Sequence, residues 1–430
     1  MTRGFCEFVA VALPKAINGG LTILFNILLL RHLGPEGFGA YSLCISLILV
    51  VDGTLGSAID LGVLRLATER RLAAGSARTG YTDIDLAGLY LKLGVGAVGA
   101  GLLAVLAEPL GTVLFHGHGQ GRLLQFTGAS ALGLLLLRSI LVHLQASGRF
   151  ILYGLCDLIH SLLKFGGISL LMLWWTPEPE HILAAFALAP LSIALFGAVL
   201  VGRGGRLGAE PRGRPLTELA QQIKWFLATY VVTASVSRMD IFLLTHWSNL
   251  EQVGLFSAAQ AFAAIPELLG TYMAVVLNPK VIPYCREGRF LAFFRRFQLL
   301  CLAAGGLILG IAVLGQELFL GTLLPSSFAR SADLFLILLP GCLVSMAVFP
   351  LVLPYLMFVR PRFFLLMDIL SVPLLLALYA YAIQTQGAIG AAWVTSLARV
   401  AKGLIAQFAA LWLASGAALP ADPKPAGPAL

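Results

Sequence analysis

The chain has 430 residues, of which 59% are hydrophobic and only 12% are charged, with a formal net charge of +8 at pH 7. Soluble domains are about 45–50% apolar and about 25% charged, so the composition excludes a soluble globular protein. The positive charge follows from the loop bias of a membrane protein, described below, and we expect no nucleic-acid partner.

Twelve apolar segments are long enough to cross a bilayer, which needs about 20 residues per helix. Their bounds are near residues 8–30, 38–62, 86–107, 123–145, 151–175, 181–202, 223–247, 253–277, 297–320, 333–357, 362–384 and 390–414. This pattern predicts an all-α polytopic protein with two six-helix bundles at 1–202 and 223–415. A cytoplasmic linker is expected at 203–222 and a disordered tail at 416–430.

The distribution of basic residues predicts the orientation. With both termini in the cytoplasm, the internal segments hold 18 Lys or Arg and the external loops hold 3. Positively charged loops remain on the cytoplasmic side. Every external loop is also short, which leaves no room for the catalytic loops of a membrane polymerase or glycosyltransferase.

The first predicted span has a polar face. Lys15, Asn18 and Thr22 recur at helical spacing, so they lie on one side of the helix. Intramembrane cations usually mark functional sites, and we therefore assign Lys15 and Asn18 to a substrate cavity. For Thr22, hydrogen bonding between packed helices is the favoured interpretation.

The second and eighth spans each carry a carboxylate, Asp52 and Glu267, about fourteen residues from the start of the span. A carboxylate at that depth either takes up a proton or pairs with a cation. One interpretation is coupling to protons or sodium. The other, slightly favoured, is a salt bridge to Lys15 or Arg238.

The fourth and fifth spans add further charges. Arg138 is expected to face the lumen of the bundle, because an arginine at that depth seldom faces lipid. Asp157, His160 and Lys164 share one face of the fifth span, together with Tyr153. This face is interpreted either as a substrate-facing or proton-handling stripe in which His160 bridges Asp157 and Lys164, or as a charge-compensated structural network.

Charges in the remaining spans have several interpretations. Arg238 and Asp240 in the seventh span flank a second polar face, and Arg238 is assigned to the cavity. Ser237, on that face, is expected to hydrogen-bond between helices. Arg399 and Lys402 in the last span line the cavity or neutralise nearby acids, which include Asp240, Glu267 and Asp368. Lys92 and Lys224 are expected to extend toward the membrane surface.

Signatures of catalysis and cofactor binding are missing from the sequence. The six cysteines are scattered without a CxxC pair, and we expect no metal site, no cofactor and no enzymatic activity. A phosphate-binding loop of the Walker type is also missing.

The two halves repeat each other at an offset of 215 residues. Matching pairs are Glu36 and Glu251, Gly39 and Gly254, Tyr41 and Phe256, Ser42 and Ser257, Asp52 and Glu267, Arg65 and Lys280, and Arg71 and Arg286. An even number of spans per half makes the halves parallel repeats, related by an axis along the membrane normal. The intramembrane cations do not follow the repeat, so these asymmetric positions are candidates for substrate contact.

Several short motifs resemble those of a known family. RHLGPEGFGAYS at residues 31–42 resembles the first external turn of bacterial polysaccharide-unit flippases. These are the Wzx-type branch of the multidrug/oligosaccharidyl-lipid/polysaccharide (MOP) exporter superfamily. Asp60–Gly62 with Arg65 is similar to the end of the family's second helix, and VGLFSA at 253–258 to the matching turn of the second half. Residues 325–333 and GAIGAA at 387–392 resemble its tenth and twelfth helices.

The resemblance implies two six-helix bundles around a central cavity that opens alternately to each side. It implies a cargo, an undecaprenyl-diphosphate-linked oligosaccharide for surface polysaccharide such as O-antigen or exopolysaccharide, flipped across the bacterial inner membrane. Membrane lipids, a polysaccharide polymerase and a chain-length regulator are the expected partners.

On the residues themselves, Lys15, Asn18, Arg138, Lys164 and Arg238 are the predicted substrate contacts. Asp52, Asp157, Asp240 and Glu267 are assigned to ion coupling or charge balance. The alternative function is a cation-coupled exporter of drugs or small molecules.

Overall fold

The computed structural model describes residues 2–73, 82–115, 120–174, 178–202, 214–286, 289–360 and 362–416. These residues form helices and turns, with no strand among them, which confirms the all-α prediction. The α-helices are α1 (Thr2–Val51), α2 (Ser57–Ala73), α3 (Asp83–Val105), α4 (Ala107–Leu114), α5 (Gly121–Ala146), α6 (Phe150–Trp174), α7 (Pro179–Gly202), α8 (Arg214–Trp247), α9 (Leu250–Ala263), α10 (Ile265–Arg286), α11 (Phe290–Leu323), α12 (Ser331–Val348), α13 (Val352–Val359), α14 (Phe363–Gln386) and α15 (Ala388–Gly416).

Helix α1 consists of two arms that meet at Gly34. This glycine has φ 66° and ψ 177°, a conformation that residues with a Cβ rarely adopt. Pro35 follows directly, and a proline disfavours helical geometry in the residue before it. The break falls in the turn expected between the first two spans.

Ten helical segments in the described part of the chain are long and apolar enough to cross a membrane. One of them, Leu13–Arg70, has 58 residues, and a straight helix of that length would be about 87 Å long. That is nearly three times the hydrocarbon thickness of a bilayer, so its two arms are separate crossings. Counted as one span, the bent pair α9 and α10 brings the candidate crossings among the described residues to twelve, the number predicted.

Both repeat-related carboxylates lie where a helix is irregular. Asp52 begins a π-turn, Asp52–Gly56, between α1 and α2, and Ser57 Oγ donates to its carbonyl oxygen at 3.2 Å. Glu267 follows a bend of 43° between α9 and α10, next to Pro266. Turns of the π type occur frequently at functional sites, because the extra residue redirects the side chains around it.

The chain divides into two compact units, Met1–Glu251 and Gln252–Leu430. In the first, α5 packs on α3 and α7, α1 on α6, and α8 on α2; in the second, α12 and α14 pack on α15. The bounds of the two bundles stay a prediction. Residues 203–213 of the expected linker and 417–430 of the expected tail lie outside the described residues, while 214–222 begin helix α8.

Close helix contacts in the second unit depend on glycine. A Cβ at Gly270 on α10 would lie 2.8 Å from the Cα atom of Met346 on α12. Two backbones approach this closely only where one residue has no side chain, as is common between membrane helices.

We therefore expect Gly270→Ala to force α10 and α12 apart and to lower the free energy of unfolding by about 1–3 kcal/mol. Thermal unfolding of the purified protein in detergent measures the loss. Gly306→Ala on α11 is the matched control, because a Cβ at that position meets no atom within 4 Å. Equal stability of the two variants would contradict the close contact.

Candidate functional site

The first unit encloses a polar cavity of about 490 Å³ among its helices. Helices α1, α2, α5, α6 and α8 contribute its polar lining, namely Lys15, Ser57, Asp60, Arg138, Gln145, Tyr153, Asp157, His160 and Tyr230. The remaining lining is leucine and valine. A concave site in which charged and polar groups converge beside apolar side chains is a candidate ligand site.

Arg138 and Asp52 form the ion pair next to this cavity, with Arg138 Nη2 at 2.8 Å from Asp52 Oδ2. The arginine side chain is 44% exposed and lines the cavity, whereas the carboxylate is only 5% exposed and lies behind it. Asp52 is thus paired with a cation, as one interpretation of the sequence predicted. The cation is Arg138, not the Lys15 or Arg238 suggested from the sequence.

Gly56 makes room for the Asp52 carboxylate. A Cβ at this position would lie 2.8 Å from Asp52 Oδ1 and 3.0 Å from a methyl carbon of Leu135. The π-turn therefore brings a side chain and a glycine together on one helix face. Within the described residues, the buried Oδ1 atom has no hydrogen-bond partner.

A second ion pair joins Lys92 on α3 to Asp60 on α2. Lys92 is 1% exposed, so the expectation that its ammonium group extends to the membrane surface is wrong. Burying an ammonium group without a partner is too costly, and Asp60 supplies the partner. Asp60 also lines the cavity, so the pair neutralises an acid at the site.

Asp157 accepts a hydrogen bond of 2.8 Å from Nδ2 of Asn18, which links α6 to α1. Lys15, Arg138 and Lys164 all lie within electrostatic range of this carboxylate. Lys15 and Asp157 line the cavity, whereas Asn18 supports it from behind through this bond.

Lys164 lies against aromatic rings. Its Nζ atom is 5.7 Å from the ring centre of Phe25 and 5.1 Å from that of Phe186, distances that give cation–π attraction. His160, one turn before it, is 8% exposed and lines the cavity, and its Nε2 has no hydrogen-bond partner among the described residues. The described contacts thus show no His160 bridge between Asp157 and Lys164.

The other predicted polar residues of the first unit are not part of this cavity lining. Thr22 and Ser237 donate to carbonyl oxygens of their own helices, at 2.7 and 2.8 Å, rather than between helices. Asp240 is buried, and its Oδ1 accepts the backbone N–H of Ile241 at 2.9 Å. Arg238 is half-buried on the same helix.

The second unit pairs its acids in the same way. Glu267 lies 2.9 Å from Arg399 Nη1, which also contacts Cys342 Sγ, and Asp368 lies 2.9 Å from Lys402 Nζ. Arg399 and Lys402 therefore neutralise acids, one of the two roles suggested by the sequence. Glu267 and Arg399 are each about one quarter exposed, so the carboxylate of this pair is more exposed than that of Asp52.

Solved structures share this architecture at low sequence identity. The lipid II flippase MurJ in an inward closed conformation aligns with a TM-score of 0.70 and 13% identity, covering 92% of this chain and 86% of that protein. A multidrug resistance MATE family transporter of the MOP superfamily, in an outward-facing conformation, gives 0.63 and 15%, covering 95% of each chain. A mutant of a MATE transporter from Vibrio cholerae gives 0.59 and 14%, with 95% of each chain covered.

This chain has the fold of these MurJ and MATE transporters. No family model and no curated protein matches the sequence, so the likeness lies in the structure alone. Together with the apolar helices, the fold makes the chain a multi-pass membrane protein.

Part of this site could not be predicted from the sequence. The sequence offers Asp60 only as part of a family-like motif, and it predicts Lys92 at the membrane surface rather than beside the cavity. One signal was available: Asp60 follows Asp52 by eight residues, about two helical turns, which places both acids on a similar face.

The buried pair gives a stability prediction. Lys92→Met leaves Asp60 without its cation, and we expect the free energy of unfolding to fall by about 3–5 kcal/mol. The double variant Lys92→Met with Asp60→Asn removes both charges and is expected to recover most of the loss. Thermal unfolding in detergent provides the measurement.

Arg65→Met is the matched control for that experiment. Arg65 pairs with Glu69 at 3.1 Å, but both side chains are more than half exposed, so the loss is expected to stay below about 1 kcal/mol. A Lys92→Met protein as stable as the Arg65→Met protein would show that the buried pair does not stabilise the fold.

Proposed function

We propose that this chain is a transporter that flips a lipid-diphosphate-linked oligosaccharide from the cytoplasmic to the periplasmic leaflet of a bacterial inner membrane. Such a cargo serves the synthesis of surface polysaccharide. The observation that carries the proposal is how the charged groups at the cavity of the first unit are paired. Asp60 and Asp157 have partners within the protein, whereas the side chain of Arg138 is 44% exposed.

The acids at the cavity already have partners. Asp60 is neutralised by the buried Lys92, and Asp157 accepts the hydrogen bond of Asn18. Arg138 contacts Asp52 with one nitrogen yet is 44% exposed, so N–H donors remain on the cavity side. A ligand in this cavity therefore meets the remaining N–H donors of Arg138, and Lys15 and Asp157 line the same space.

A diphosphate is the cargo group that suits this arrangement. The planar guanidinium of an arginine holds phosphate oxygens with two parallel N–H bonds, and a lysine adds a point charge. Electrostatic attraction is strong in the low dielectric of a membrane interior, so two cations lower the cost of moving an anionic head group through it. The hydroxyls of Tyr153 and Tyr230, and the amide of Gln145, suit the polar edges of sugars.

The structural neighbours support the class of cargo. MurJ is named a lipid II flippase, and its structure aligns with 92% of this chain. The motifs at residues 31–42 and 253–258 resemble those of polysaccharide-unit flippases, and this is the branch we propose. The distribution of basic residues supports cytoplasmic termini, and a polymerase and a chain-length regulator would act on the exported product.

One further candidate function is a cation-coupled exporter of drugs or small molecules. The MATE neighbours, among them a multidrug resistance transporter, favour it. Asp157 lines the cavity as well, and a carboxylate suits a cationic drug. The two functions therefore predict opposite charge on the preferred ligand.

Binding measurements separate the two functions. The purified protein in nanodiscs is titrated with farnesyl diphosphate, a short anionic lipid diphosphate, and with tetraphenylphosphonium, a lipophilic cation. We expect farnesyl diphosphate to bind and Arg138→Ala to weaken its binding about tenfold or more, because a charge-assisted contact is lost. Preference for tetraphenylphosphonium, with no effect of Arg138→Ala, would establish the exporter instead.

In the cell, Arg138→Ala is expected to abolish surface polysaccharide while the protein remains in the membrane. Lys164→Ala, at a residue outside the described cavity lining, tests the separate prediction that Lys164 contacts the substrate. The export of labelled polysaccharide and an immunoblot of the membrane fraction measure the two quantities. Arg65→Ala is the control, since it also removes a positive charge from the first unit but lies in an exposed pair. Normal polysaccharide in the Arg138→Ala variant would refute the site.

A further inference from the structure

We propose that Asp52 is an internal competitor for the substrate. Its carboxylate occupies Arg138 while the cavity holds no cargo, and an incoming phosphate displaces it. This inference rests on the proposed function, because it needs an anionic ligand at Arg138. It assigns Asp52 the task of setting the affinity of the site, a task distinct from stabilising the bundle.

The geometry of the pair suits displacement. Arg138 presents its exposed side to the cavity, and Asp52 approaches from the buried side of the π-turn. The 2.8 Å contact joins Nη2 to Oδ2, and within the described residues Oδ1 has no hydrogen-bond partner. A phosphate binding through two oxygens therefore competes with a contact made through one oxygen.

Carboxylate and phosphate use the same face of a guanidinium group. Both bind through oxygen atoms in the plane of the N–H donors, which is why arginine recognises either one. Occupying Arg138 with Asp52 satisfies the arginine when no ligand is present, and it makes the site reject weak anions.

The released carboxylate retains a cation within range. The charged groups that act on Asp52 are Arg138 from α5, Lys92 from α3 and, with opposite sign, Asp60 from α2. Helix α8 faces the π-turn with the apolar Ala234, whose Cβ lies 3.2 Å from the Cβ position of Gly53. Lys92 is 1% exposed, so water screens its charge little. Lys92, although paired with Asp60, is thus the cation that remains within range of Asp52 after Arg138 turns to the ligand.

A further buried polar group lies at this cavity. His160 lines it, is more than nine-tenths buried, and has an Nε2 atom without a hydrogen-bond partner among the described residues. Buried polar atoms are normally satisfied, but this nitrogen is itself almost inaccessible, so a ligand could contact it only after the imidazole ring turns.

The test measures the affinity for farnesyl diphosphate of the full-length protein in nanodiscs. Asp52→Asn keeps the shape of the side chain and removes its charge, so we expect the dissociation constant to fall about tenfold. A residue that only positioned Arg138 would give the opposite result, since its loss would weaken binding. Asp52→Glu retains the competing carboxylate and is expected to bind within about twofold of the unchanged protein.

Glu69→Gln is the matched control. Glu69 is also paired with an arginine, but the pair lies on the exposed side of α2 and outside the cavity lining, so the affinity is expected to remain unchanged. Should Asp52→Asn not yield folded protein, Asp52→Ser removes the same charge with a smaller side chain. An unchanged or weaker affinity in the charge-free variants would overturn the competitor role.

Failure of the proposed function has a different signature. In that case the unchanged protein does not bind farnesyl diphosphate, or Arg138→Ala binds it equally well. Binding that depends on Arg138 but does not tighten in Asp52→Asn refutes only the competitor role.

Discussion

A charge inside a bilayer needs a partner, and the described part of this protein follows that constraint closely. Asp52 is held by Arg138, Asp60 by Lys92, Glu267 by Arg399 and Asp368 by Lys402. Each pair joins two helices, so the charges also fix which helices lie side by side. Without a hydrophobic force to bring helices together in lipid, such contacts and the small residues between helices determine the packing.

The Asp52–Arg138 pair differs from the others in its exposure. Its acid is buried and its base is open to the cavity, whereas Lys92 is more deeply buried than its partner Asp60. The π-turn produces this arrangement, because it places Asp52 behind Arg138 and next to Gly56. An arginine that is exposed to the cavity is what the proposed binding of an anionic ligand requires.

The paired carboxylates follow the internal repeat, but the arginines that neutralise them do not. Asp52 and Glu267 occupy equivalent positions, and both lie at irregular points of their helices. Their arginines do not correspond: the residue equivalent to Arg138 is Leu353, and that equivalent to Arg399 is Ala184. The duplicated scaffold thus retains its acids, while each unit obtains its cation from a different helix.

The sequence by itself determined the membrane class, the twelve crossings and the positions of the intramembrane charges. These follow from local quantities, namely the length of apolar runs and the spacing of polar residues. It also indicated that Asp52 and Glu267 would need cations. Only the tertiary structure decided which cations these are, because a salt bridge depends on the rotation and the neighbours of each helix. Lys92 shows the reason clearly: its position near a helix end suggested the membrane surface, but the packing of α3 on α2 encloses it beside Asp60. The π-turn at Asp52 was equally invisible in the sequence, since its extra residue is stabilised by contacts with surrounding helices, and it is this turn that sets Asp52 behind Arg138.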